Sequence, residues 1–134
     1  MWGVPRQLVA LVVMIGISFT AVWSARAETE ADLALVLAVD VSLSMETDEQ
    51  ELQRQGFVEA FRSPEVHEAI RTGMLGRIAV TYVEWAGAGY QEVVVPWTVI
   101  EHPADGHAFA ERLAQRPTQR HGYTSVSGAI DFSL

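Results

Sequence analysis

The sequence predicts an α/β layered sheet with an antiparallel edge strand, and three observations lead there. Residues 33–39, Leu-Ala-Leu-Val-Leu-Ala-Val, form an apolar run without alternation, the pattern of a strand covered on both faces as at the centre of a parallel sheet. A helical connection joins that run to a second β-rich stretch, residues 77–85, which again has apolar residues on both faces. Finally, Ala86-Gly87-Ala88-Gly89-Tyr90 is a loop of hairpin length, after which residues 92–100 return as a third strand.

Taken in order, residues 1–27 read as a secretory signal. Arg6 is the basic flank, residues 8–22 the apolar centre, and Ala25-Arg26-Ala27 a small-x-small cleavage site. Cleavage after Ala27 makes residues 28–134 the mature domain, periplasmic or secreted and without a stable membrane anchor; the alternative is an uncleaved anchor helix, for which the apolar run is short. After the first strand, Thr47-Asp48-Glu49-Gln50 predicts a capping box opening a helix to about Arg62, with Leu52, Phe57 and Phe61 inward. Ser63-Pro64 predicts an N-cap and N1 proline for a short helix carrying Val66, Ala69 and Ile70 that stops at Gly73. In the second strand Ile78, Val80 and Tyr82 share one face. In the third, Pro96 removes a ladder donor and places the strand at a sheet edge. Asp105 is a cap for a helix to about Gln115 with Phe109 and Leu113 inward at i, i+4. A polar loop, residues 116–123, leads to a last helix beginning near Thr124.

The chain has no cysteine and no lysine among its nine basic residues. That excludes disulfides and thiolate-bound metal. Without Arg6 and Arg26 the mature chain carries seven basic against 17 acidic residues, a net charge of −10, which disfavours nucleic acid and anionic membranes as partners and suits a cation or a basic surface.

The most specific feature is Asp40-Val41-Ser42-Leu43-Ser44, directly after the first apolar run. An Asp-x-Ser-x-Ser loop over a strand end can aim one carboxylate and two hydroxyls at one point, the donor set of a hard cation such as magnesium or manganese. Ligands of open α/β sheets bind beyond the carboxyl ends of strands, where Asp40 lies. The alternative reading is a loop whose oxygens cap backbone amides before the helix, with Thr124 the N-cap of the final helix.

This loop, together with Gly122-Tyr123-Thr124 leading into Ala129-Ile130, resembles the metal-ion-dependent adhesion site of the von Willebrand factor type A domain. Val83-Glu84-Trp85-Ala86-Gly87 and Val94-Val95-Pro96-Trp97-Thr98 are similar to strands of an uncharacterised group of exported bacterial proteins within that superfamily. The resemblance covers residues 33–134. It implies a Rossmann-like sheet in which Asp40, Ser42, Ser44 and Thr124 hold Mg2+, Mn2+ or Ca2+ and a carboxylate of a bound protein completes the coordination. It also implies a C-terminally truncated domain. The family pattern continues into a fourth strand ending in a further metal-site aspartate, for which Asp131, on the last helix, is no substitute, and without that strand residues 33–39 are expected to form an exposed, aggregation-prone edge.

The expected function is therefore a non-enzymatic, divalent-cation-dependent protein-binding module for adhesion or scaffolding. Two alternatives stand beside it: a magnesium-dependent phosphoryl-transfer enzyme with Asp40 as nucleophile, and an inactive fragment of a longer protein. His102 and His107 do not share a helical face, so they make a poor metal pair. His67 and His121 read as solvated. Trp85 and Trp97 read as core or edge packing, and the acidic run Glu46, Asp48, Glu49, Glu51 as a complement to a helix dipole.

Overall fold

The parallel pairing that a helical crossover imposes joins β1 (Leu33–Asp40) to β2 (Ile78–Trp85), in register from Leu33 opposite Ile78 to Asp40 opposite Trp85. This computed structural model describes residues 28–134; the predicted signal, residues 1–27, lies outside the described residues. β3 (Gln91–Ile100) pairs antiparallel to β2, giving the order β1-β2-β3. The α/β sheet with an antiparallel edge strand is thus borne out. The reading of residues 33–39 as buried on both faces is not met, while the edge position expected for them without a fourth strand is the one observed, and β2 is the central, doubly covered strand. Among the described residues β1 pairs on one side only, and of its eight residues only Val39 is buried. Uniform apolarity reports that both faces of a strand are apolar and carries no information on its edges.

Pro96 sits on the edge strand as expected, inside an irregularity that the sequence did not disclose. Val80 pairs with Thr98 and Tyr82 with Val95, so β3 carries an extra residue there; Val83 pairs with Val93, so Val94 is another. These bulges reset the alternation, and Val94 and Val95, though consecutive, are both buried. Thr81 Oγ1 donates to Val95 O at 2.9 Å within the same irregular stretch.

The helices are α1 (Thr47–Arg62), α2 (Pro64–Arg71), α3 (Pro103–Ala114) and α4 (Val126–Ser133). The first three cover one face of the sheet. Val58 and Phe61 of α1, with Phe109, Ala110 and Leu113 of α3, close over Val80, Tyr82, Val95 and Ile100. The Phe61 and Phe109 rings lie 4.6 Å apart, and Phe57 meets Tyr82 edge-on at 5.5 Å. α4 lies over the other face, where Phe132 shares an apolar cavity with Val36, Val83 and Trp97.

Cap positions shift by one to three residues from the sequence reading. Glu46, not Thr47, is the N-cap of α1: it forms a reciprocal box with Glu49, whose Oε2 accepts from Glu46 N at 3.0 Å. Ser63 caps α2 as expected, accepting from Val66 N at 3.2 Å. α3 starts at Pro103 with His102 as N-cap, and Asp105, three residues on, accepts from His102 N at 2.8 Å. The inner face of α1 also differs, for Leu52 is 71% exposed while the buried stripe runs Gln50, Arg54, Val58, Phe61. Two polar residues occupy it because each has a buried partner elsewhere in the fold.

Two glycines are required. Gly76 (φ 69°) turns the chain from α2 into β2, and there Asp32 accepts from Leu75 N at 2.8 Å. A Cβ on Gly106 would stand 2.7 Å from Phe61 O, so α3 can approach the end of α1 only without a side chain. Among the described residues no helix is long and apolar enough to cross a membrane.

Candidate metal centre

Where β1 surfaces, residues 41–43 leave regular structure, yet every backbone polar group they carry is engaged. Val41 N donates to Trp85 O at 2.8 Å and Val41 O accepts from His121 N at 2.9 Å. Ser42 N donates to Asp40 Oδ1 at 2.7 Å, and Ser42 O accepts from Met45 N and from Gln50 Nε2, both at 3.2 Å. Leu43 N donates to Gly122 O at 3.1 Å, and Leu43 O accepts from Arg120 at 3.1 Å. Six groups, all paired, make a fixed loop rather than a flexible one. The two bonds to residues 121 and 122 form a parallel bridge centred on Ser42 and His121.

That bridge delivers Thr124. Ser125 N donates to Ala86 O at 2.8 Å, and the bare Cα of Gly87 lies against the Tyr123 carbonyl. The β2–β3 loop thereby supports the segment from behind. The N-cap of α4 is Ser125, which accepts from Gly128 N at 3.4 Å. This corrects the reading of Thr124 as a cap and leaves its hydroxyl free for the site.

All four sequence-predicted residues meet here. Ser42 Oγ lies 2.6 Å from Ser44 Oγ, Thr124 Oγ1 donates to Ser42 Oγ at 2.8 Å, and Ser44 Oγ and Thr124 Oγ1 are 3.3 Å apart. In an octahedron of the size magnesium imposes, neighbouring oxygens are about 2.9 Å apart. The edges of the hydroxyl triangle, 2.6, 2.8 and 3.3 Å, scatter around that spacing, so small shifts would bring it onto one face of such a polyhedron. Asp40 uses Oδ1 to hold Ser42 N, and Oδ2 takes no hydrogen bond among the described residues. An oxygen-only set with a single carboxylate fits a hard divalent cation and not a soft one. Ser42 is fully buried, while Leu43 and Tyr123, 59% and 90% exposed, flank a cavity of about 300 Å3 beside Ser44 and Thr124.

Beneath the loops lies a polar cluster that sequence reasoning missed. Arg54 and Glu84 form a buried ion pair. Burial pushes the Glu84 carboxyl above its ordinary value, outweighing the Arg54 guanidinium beside it, and nearby Glu92 acts in the same direction. His121, expected to be solvated, instead stacks on Tyr90 at 3.5 Å. Burial, with Glu92 accepting from its hydroxyl at 2.9 Å, raises Tyr90 to about 12. The one available signal was Glu84 itself, a charge within an otherwise uncharged strand. His67 is also not a free surface group, since its Nε2 lies 2.8 Å from Phe61 O. Among the described residues no three His, Asp or Glu side chains converge as a group that could hold a metal ion.

A family model described as "Protein of unknown function (DUF1194)" matches residues 30–134. No curated protein matches the chain.

Proposed function

The chain belongs to the DUF1194 family, and from that premise we propose that it is a non-enzymatic, divalent-cation-dependent protein-binding module of the von Willebrand factor type A kind, acting in the periplasm or outside the cell. The observation that carries this reading is the hydroxyl triangle of Ser42, Ser44 and Thr124, drawn from two loops some eighty residues apart and edged by Asp40. A bound magnesium or manganese ion would supply a positive centre little neutralised by protein charge, and so attractive to a partner's carboxylate. The chain's own residues prepare the rest. Arg120, pinned to Leu43 O, adds local positive charge to an acidic chain, and exposed Leu43 and Tyr123 offer apolar surface beside the carboxylate's place.

The test is a thermal melt of the purified protein with and without magnesium or manganese, alongside Asp40→Ala and Thr124→Ala. A cation at 100 times its dissociation constant adds about 2.7 kcal/mol, a rise in Tm of roughly 10 °C or more for a domain this size. We expect the rise in wild type and its loss in both variants. Capture of an immobilised aspartate-bearing peptide should follow the same pattern and be reversed by chelator. A melt indifferent to cation in wild type would sink the proposal.

A further inference from the structure

On the buried stripe of α1, Gln50 and Arg54 stand one turn apart, 2% and 7% exposed. Gln50 holds the loop that bears Ser42 and Ser44, and Arg54 holds the start of the segment that runs from α3 towards Thr124. Gln50 Nε2 donates to Ser42 O at 3.2 Å. Arg54 donates to Arg116 O at 2.7 Å and to Leu113 O at 3.4 Å, fixing where the chain leaves α3 on its way to Thr124. Its other terminal nitrogen bonds Glu84 Oε1, near the end of β2. Both side chains also carry a cost, because Gln50 Oε1 and Arg54 Nε are buried and have no hydrogen-bond partner among the described residues. A polar group left so costs stability, and apolar residues of similar volume avoid that cost. These unpaired atoms offset part of what the bonds to Ser42 O, Leu113 O, Arg116 O and Glu84 contribute to stability, and the placing of the segments so held is a second consequence of the pair.

We propose that Gln50 and Arg54 are positioning residues that together set the separation between the loop bearing Ser42 and Ser44 and the loop bearing Thr124. Their rigid spacing on one helix fixes the size of the hydroxyl triangle and hence its affinity for a cation. This rests on the cation-binding reading above.

The test is titration of the full chain with manganese, following the free-ion electron paramagnetic resonance signal, together with a melt in chelator. The variants are Gln50→Met, Gln50→Glu, which removes the donor at equal size, and Arg54→Met combined with Glu84→Leu, which leaves no buried charge unpaired. Residues that orient metal ligands from behind are worth about 10–100-fold in metal affinity. We expect a loss of that size in each variant, with a cation-free Tm at or above wild type for Gln50→Met and the double variant. Unchanged affinity would overturn the proposal, as would a loss of affinity that merely tracks a loss of Tm. A wild type that binds no manganese would remove the cation reading and this one with it, an outcome distinct from both.

Discussion

Phe109 and Leu113 are closed off from solvent entirely, and Phe109 packs on Phe61 at the centre of the larger core. Phe109→Ala should therefore cost about 3–5 kcal/mol, read as a lowered midpoint in urea with little change in slope. A cost below 1 kcal/mol would mean that the α1–α3 layer is loosely packed. These two residues were legible in the sequence because apolar side chains at i, i+4 have one sensible destination. Asp40, Ser42 and Ser44 stood out because a carboxylate and two hydroxyls cluster at the end of an apolar strand, whereas the nearness of Thr124 to them, 82 positions on from Ser42, was expected only from the resemblance to the von Willebrand factor type A site. Gln50 and Arg54 were not. Whether a polar helix residue faces water or the interior depends on partners such as Ser42 O and Glu84, which only the tertiary fold brings near.

At the scale of elements, α3 begins with an acid whose charge is put to use. Backbone amides of His102 and Glu101 donate to the Asp105 carboxylate and hold its pKa below the ordinary 3.8. The folded value is depressed, so the stabilisation is present above the unfolded value and is lost as pH falls through the folded one. Asp105→Ala should cost about 0.3–1 kcal/mol at neutral pH, and the gap from wild type should narrow as the solution is acidified below pH ~4. A gap independent of pH would mean that the carboxylate's charge contributes nothing. Every described helix was foreseen, but three, α1, α3 and α4, began elsewhere than at the cap read from sequence. Thr47 and Asp105 are good capping types, and the choice among neighbouring candidates falls to the geometry of the incoming loop. The β3 bulges left no trace beyond Pro96, because an extra residue changes pairing without changing composition.

Over the whole molecule, β1 presents an edge that carries no charge before Asp40 and is exposed or half-buried at all but Val39, among the described residues. It lacks lysine, proline and bulge, the devices that discourage strand-to-strand association. Ala34→Lys, at an exposed position, should reduce self-association measured by sedimentation velocity at high protein concentration without lowering Tm; equal association in both proteins would show that the edge is not the contact. The hydroxyl contact between Ser42 and Thr124 spans 82 positions in a chain with no cysteine. A disulfide across such a span would restrict the unfolded chain permanently, by about 4.5 kcal/mol on the chain-entropy account. An ion held between these loops would act only on the folded form, with a strength that rises and falls with its own concentration. The fastening would be reversible, and the fold would tighten or slacken with the divalent-cation content of its surroundings.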